Sequence, residues 1–279
     1  MDLDLDAVGK AIEAPPFAYD WKTCATYALG IGAGPDELAY TWEKAPHFKV
    51  APSFAVVPTM PIVMDALARV RADFRTLVHG AQTLTLHAPI PKQGTLHSEG
   101  RIREVLDKGK GAVVIIETTT RDADGNALFD TEWSIFCRGQ GGFGGPRGES
   151  EAAPEAKAGA APAFEDTLQT APNQALVYRL SGDLNPLHVD PALATKVGFE
   201  GPILHGLCTY GFAVRAVLRH LCDDDPARLA SFTARFSQVV YPGDALTVRA
   251  VPAAEAGTYL LEAAVGDRTV LSNGVVRLR

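Results

Sequence analysis

The residues best suited to chemistry crowd into Tyr178-Arg-Leu-Ser-Gly-Asp-Leu-Asn-Pro-Leu-His-Val-Asp190, where a carboxylate, Asp183, stands five residues before an imidazole, His188. On one helix the two side chains would diverge by about 140° and share no target. Asn185 precedes Pro186, and a residue before proline avoids the helical region. Gly182 adds backbone freedom at the start of the turn. The segment therefore reads as a bent loop, and a bend can bring carboxylate and imidazole to one point. There they can hold a water and exchange protons with it. The plainer reading is a helix-capping Asp, a turn Asn-Pro and a surface His, and the residues alone leave both open. A second cluster, Gly201-Pro-Ile-Leu-His-Gly206, lies immediately upstream of an apolar run. Gly206 has no side chain, so its N–H can be approached closely. A helix N-terminus carries free N–H groups and a partial positive charge, which would stabilise an oxygen gaining negative charge. The alternative is a purely structural helix start, with His205 a satisfied core histidine. An acid/base pair followed by such a helix start suits proton chemistry next to a carbonyl.

The elements that must position these groups follow from periodicity. Gly206–Leu221 is apolar nearly all round (Leu207, Tyr210, Phe212, Val214, Val217, Leu218, Leu221), which predicts a helix buried on every face. Strand candidates follow at Ser231–Val240, Ala245–Val251, Thr258–Val265 and Thr269–Leu278, with turns at Tyr241-Pro-Gly-Asp244, Ala256-Gly257 and Gly266-Asp267. A shorter helix is expected over Leu176–Leu180. The first half has the same order. Helices are expected at Thr23–Leu29 and from Met60 to about Phe74, then strands at Ala81–Ala88, Thr95–Leu106, Ala112–Thr120 and Ala127–Cys137. Tyr27, Leu29 and Pro35 stand 151 residues before Tyr178, Leu180 and Pro186, a faint internal repeat. Gly139–Ala163 is Gly-, Ala-, Pro- and Glu-rich without apolar period, which describes a linker. The expected organisation is an N-terminal domain over 1–138, a linker over 139–165 and a C-terminal domain over 166–279. Each domain should be α+β, an antiparallel sheet curling around a buried helix. Gly139, Gly141 and Gly144 spell G-x-G-x-x-G, but Pro146 and an acidic run follow instead of a helix, so no nucleotide site is expected.

The chain has 279 residues, 47% of them hydrophobic and 21% charged, which excludes wholesale disorder. A net charge of −7 disfavours a nonspecific nucleic-acid binder. No apolar stretch approaches the ~20 residues of a membrane span; the most apolar run, Phe54 to Met64, is broken by Pro58 and Pro61. Cys24, Cys137, Cys208 and Cys222 lack paired spacing and read as reduced core thiols. The start MDLDLDAVGK is acidic where a signal peptide would be basic then apolar, and the end Val-Arg-Leu-Arg is no Ser-Lys-Leu address, so a cytoplasmic location is expected. No His/Cys/Asp cluster has metal-ligand spacing, and neither metal nor cofactor is expected.

Ser181-Gly-Asp-x-Asn-Pro-x-His188 followed by Gly201-Pro-Ile-Leu-His-Gly206 resembles the MaoC-like, type-2 (R-specific) enoyl-CoA hydratases. The resemblance extends to Tyr27-Ala-Leu-Gly-Ile-Gly32, Leu77-Val-His-Gly80, the Asp107-Lys108-Gly109 turn and Arg235-Phe-Ser-Gln-Val-Val-Tyr-Pro-Gly243. It implies a double hot-dog fold whose two sheets join edge to edge into one. It implies that Asp183 and His188 hold the attacking water, that Asn185 orients them and that the Gly206 amide binds the thioester oxygen. It further implies that His79, Gly80, Lys108 and Phe236 contact an acyl-CoA. The family adds (3R)-hydroxyacyl-CoA as product, and two-domain members suggest a homodimer. The first half carries Gly32 and Glu37 at the positions of Asp183 and His188, so it should be non-catalytic and house the acyl tail. Glu37→Gln and His97→Gln should accordingly be close to neutral. Two other functions share these motifs: dehydration of 3-hydroxyacyl groups on a carrier protein, and a non-catalytic acyl-CoA-binding subunit.

Overall fold

The computed structural model describes residues 2–148 and 154–279. Residues 149–153, within the expected linker, lie outside it. In chain order the first half contains β1 (Ala11–Glu13), β2 (Phe17–Tyr19), α1 (Trp21–Gly30), α2 (Leu38–Thr41), α3 (Val56–Arg69), β3 (Leu77–Leu86), β4 (Gly94–Asp107), β5 (Gly111–Arg121) and β6 (Ala127–Arg138). The second contains β7 (Phe164–Gln169), α4 (Gln174–Tyr178), α5 (Pro191–Lys196), α6 (Gly206–Leu221), β8 (Leu229–Phe236), β9 (Ala245–Pro252), β10 (Thr258–Val265) and β11 (Arg268–Leu278). All strands but β2 run in the order β1-β4-β5-β6-β3-β8-β11-β10-β9-β7, a single antiparallel sheet, with β2 pairing β4 to the side. The two halves meet where β3 pairs β8, Ala81 opposite Arg235 and Thr85 opposite Ser231. This is the double hot-dog arrangement.

α6 begins and ends where its periodicity predicts. Every residue from Leu207 to Leu218 is buried, and each large side chain among them contributes roughly 1.5–3 kcal/mol by leaving water. Arg219 occupies its last turn, where a cation complements the helix dipole. Asp223 and Asp224 then take φ of 51° and 56°, a left-handed conformation that Asp tolerates better than most residues. α3 spans Val56–Arg69 instead of Met60 to Phe74. Pro58 falls in its first turn, whose N–H groups need no intrahelical acceptor, and Ile62, Val63, Ala66 and Leu67 bury toward the sheet.

Two strands depart from the sequence pattern in ways that bear on the site. β3 starts at Leu77, four residues early, so His79 and Gly80 lie inside a strand and not in a turn before one. Gly80 sits at a register shift between His79 and Ala81, a bulge. β8 ends at Phe236, opposite Leu271 of β11 and short of the expected Val240, with one further bond from the Ser237 N–H to the Val270 carbonyl. Parts of the linker lie along the sheet. The buried Asp107 carboxylate accepts the N–H groups of Gly109, Gly142 and Gly144 at 2.7–2.8 Å. Ala156 bridges Ala253, and residues 164 and 165 already belong to β7.

Candidate active site

The loop between α4 and α5 is bent by its own side chains. Gly182 takes φ of +119°, a value that side chains rarely allow. The Asp183 Oδ1 atom accepts the Asn185 N–H at 3.1 Å, and the Asn185 Oδ1 atom accepts the Leu187 N–H at 3.0 Å. These are two successive Asx turns. Asn185 is exposed and shapes the loop through this cap. Asp190 closes the segment by capping α5 through Ala192 and Leu193. The bend carries His188 inward to a buried position.

There His188 Nδ1 lies 2.8 Å from the Ile203 carbonyl. A carbonyl only accepts, so Nδ1 carries the proton and Nε2 keeps its lone pair. The His188 ring stacks on His205 with centroids 3.7 Å apart and planes 26° from parallel. His205 Nε2 lies 3.2 Å from the Asp183 carbonyl, tying the loop to the residue that precedes α6. One donor atom each of Asp183, His188 and His205 lies within 4.8 Å of the others. The fold thus assembles, from positions 183, 188 and 205, a His/His/Asp group that linear spacing did not suggest. Burial lowers the pKa of His188, against smaller opposing effects of Ile203 and Asp183. Burial and then the neighbouring His188 lower His205 to about 4. Both rings are neutral at pH 7.

Gly206 opens α6 beside this group. A Cβ there would sit 3.2 Å from the Phe236 ring, so glycine is set by close approach. Phe236 in turn packs against His79, centroids 4.6 Å apart, and His79 stacks on buried Trp133 at 5.1 Å and 11°. His79 Nε2 lies 3.1 Å from the Ala81 carbonyl across the bulge. Burial drops its pKa to about 4, partly opposed by Ala81 and by the Asp183 charge. His79, Gly80, Phe236, Gly206, Asp183 and His188 therefore come together at the β3–β8 seam. Lys108 does not join them directly. It is exposed in the β4–β5 turn, its ammonium on the Arg147 carbonyl. That turn is at the same end of the sheet as His79, three strands away, or ~14 Å at strand spacing. Only a long ligand would touch both. His205 is the residue that sequence reasoning assigned to the core; its place next to Gly206 in the second motif was the available signal.

The corresponding positions of the first half are filled. A Cβ on Gly32, φ +82°, would lie 2.3 Å from the Phe212 ring. Phe212 of α6 takes the space an aspartate would need. Glu37 bonds to Arg215 of α6 through Nε at 3.0 Å and through a second, shorter contact, while Arg215 also donates to the Ile31 carbonyl at 2.8 Å. Only 10% and 9% of the Glu37 and Arg215 side chains are exposed. Glu37 is therefore one side of a buried ion pair between the halves, which corrects the expectation that replacing it would be neutral.

Comparison with known proteins agrees with this architecture. Residues 17–139 match the MFE-2 hydratase 2 N-terminal domain, and residues 154–259 match the MaoC like domain. The chain is 40% identical to a probable enoyl-CoA hydratase 2 of Dictyostelium discoideum, over 81% of this chain and 79% of that protein. The crystal structure of a MaoC-like dehydratase from Phytophthora capsici superposes with a TM-score of 0.86 at 30% identity, covering 99% of both chains. The full-length peroxisomal multifunctional enzyme type 2 from Drosophila melanogaster superposes with a TM-score of 0.82 at 34% identity. That match takes in 96% of this chain, which spans about half (48%) of that enzyme. No helix among the described residues is long and apolar enough to cross a membrane.

Proposed function

The chain belongs to the family of two-domain, MaoC-like type-2 enoyl-CoA hydratases, and from that membership we propose that it adds water to trans-2-enoyl-CoA to give (3R)-3-hydroxyacyl-CoA in fatty acyl-CoA metabolism. The observation that carries the reading is the convergence of Asp183 and His188 beside the start of α6. The thioester carbonyl draws electrons from the double bond and leaves C3 electrophilic. Water held between the Asp183 carboxylate and the His188 Nε2 lone pair attacks C3. One of the pair takes a proton from the water, and C2 receives one, so the elements of water are added across the bond. In the transition state negative charge passes to the thioester oxygen. The Gly206 N–H, one of the donors that a helix's first turn leaves free, faces it. His79, Gly80 and Phe236 line the seam where the acyl group would lie, and Lys108 suits a distal, anionic part of CoA.

In this reading residues 166–279 form the catalytic domain and 139–165 the linker, while 1–138 accommodates the acyl tail. The plug of Phe212, Glu37 and Arg215 in the first half supports one working site per chain. The chain acts as a homodimer in the cytoplasm; its four cysteines, all free and buried, fit a reducing compartment. Light scattering at micromolar concentration should give twice the chain mass. The deciding assay follows loss of enoyl absorbance across trans-2-enoyl-CoAs from C4 to C16, with chiral analysis of the product. Hydration to the (3R)-3-hydroxyacyl-CoA supports the proposal. Binding of CoA esters without hydration, or turnover confined to carrier-bound thioesters, overturns it.

A further inference from the structure

We propose that Asp107 is a positioning residue for substrate binding: it clamps the glycine-rich segment 139–147 over the β4–β5 turn, and the clamp holds Lys108 where the phosphate-bearing end of the CoA ester passes. That the clamp serves binding rests on the acyl-CoA reading above; the clamp itself does not. It grips from both sides of the backbone. The Asp107 Oδ1 atom accepts the Gly109 and Gly142 N–H groups, each at 2.8 Å, and Oδ2 accepts that of Gly144 at 2.7 Å. The Asp107 N–H donates to the Pro146 carbonyl at 2.8 Å. The next residue along on each side completes it, with the Lys108 ammonium on the Arg147 carbonyl. The segment that Asp107 grips therefore supplies the seat of the Lys108 head group. Gly142 and Gly144 take φ of 83° and 76°, and a Cβ on Gly141 would sit 2.2 Å from the Gly111 carbonyl oxygen, so the approach needs glycine. The Gly142 and Gly144 N–H groups are thus committed to the chain's own carboxylate and not to a ligand phosphate.

The cation so held is left for a ligand. Asp107 is 6% exposed, and three backbone N–H donors occupy its carboxylate, so the lysine beside it turns to a carbonyl instead. Lys108 does not stand alone. Exposed Lys110 shares its turn, and exposed Arg138 ends β6 opposite Gly111. The Gly139 N–H donates to the Lys110 carbonyl at 2.9 Å, and the Thr76 hydroxyl to the Arg138 carbonyl at 3.2 Å. Lys108, Lys110 and Arg138 thus mark the ends of β4, β5 and β6, ~4.8 Å per strand, in a row that leads to the start of β3 and its His79. None of the three is ion-paired among the described residues. On a chain of net charge −7, such a row suits an anion whose charges are spread along its length, as the phosphates of CoA are. Lysine has a flexible stem that must be ordered when it binds. Seating the ammonium beforehand removes part of that cost.

The test compares crotonyl-CoA with crotonyl-pantetheine, which keeps the thioester and lacks the phosphates. Asp107→Ala should raise KM for crotonyl-CoA ~5-fold, leave kcat as it is, and leave kcat/KM for crotonyl-pantetheine unchanged. Lys108→Gln should do the same. The double variant should be no worse than Lys108→Gln alone, because Asp107 acts only through Lys108. Asp107→Asn keeps an oxygen for Gly109 and Gly142 but turns an amide N–H toward the Gly144 N–H, so it should fall between. Lys22→Gln, at a cation over Trp21, should change nothing. A fall in kcat, or an equal loss on both esters, would mean a loosened fold and overturns the proposal. So do additive effects in the double variant. If Asp107→Ala fails to fold, Asp107→Asn decides by the same comparison. Hydration of crotonyl-CoA with a KM indifferent to position 107 removes the positioning role and leaves the hydratase reading intact. If the unsubstituted chain hydrates neither ester, the hydratase reading falls, and calorimetric binding of free CoA tests the clamp by itself. Weaker binding by Asp107→Asn then supports it; no binding, or binding indifferent to position 107, overturns it.

Discussion

Asp183→Asn keeps an oxygen for the Asn185 N–H to bond and removes only the proton chemistry. It should melt close to the unsubstituted chain and lose at least ~10²-fold in kcat. His188→Gln should lose as much activity, with a stability cost of up to ~1.5 kcal/mol for the bond to Ile203. Retention of more than about a tenth of kcat in Asp183→Asn would sink the assignment, and an unfolded variant would point back to a structural cap. The neutral His188 adds a pH signature. Its pKa lies below 6.5 because burial disfavours the charged ring, so the acid limb of kcat/KM should fall below pH 6.5, and a limb above it would contradict this geometry. Asp183, His188 and Gly206 were legible because turn residues and spacing are written locally. The part played by His205 was not, since stacking on His188 and bonding to the Asp183 carbonyl depend on how the loop folds back over α6.

At the level of elements, α6 does two jobs: its first turn faces the site and its middle plugs the first half. Glu37→Gln should destabilise the chain by about 2–3 kcal/mol, because Arg215 keeps its buried charge and loses the partner. Burial alone would raise the Glu37 pKa; the hydrogen bonds and charge of Arg215 outweigh it and hold the folded value below 4.5. The pair's stabilisation is thus fully present above about pH 4.5 and is lost as pH falls through the lower folded value. Denaturant melts of both chains at pH 7 and below pH 4 should converge at the acid end. Equal midpoints at pH 7 would refute the role of the pair. Periodicity gave α6 its bounds, whereas β3 was misjudged because Leu77-Val-His-Gly80 has a glycine bulge and no clean alternation. Nothing in the neighbourhood of Glu37 reveals that a residue 178 positions away will neutralise it.

Across the whole molecule, the halves share a sheet through β3 and β8 and a helix through Arg215, Phe212 and the Cys208 Sγ contact to the Gly30 carbonyl at 3.2 Å. A protease site inserted within 149–153 should therefore yield, once cut, two fragments that co-elute and keep activity. Fragments that separate without denaturant would show that the linker, not the seam, holds the halves. The repeated element order pointed to two similar sheets, and the family resemblance to their joining edge to edge; that β3 and β8 are the strands that join was not legible, as neither strand's pattern marks its outer edge. That seam also shapes how the chain is made. Ala81 leaves the ribosome long before its partner Arg235. At 5–20 residues per second the wait is roughly 8–30 s. Throughout it β3 presents an open row of backbone donors and acceptors, a template for pairing with any nascent neighbour. Rapid overexpression should drive this chain into inclusion bodies, and slowed translation or a holdase that shields strand edges should raise the soluble yield.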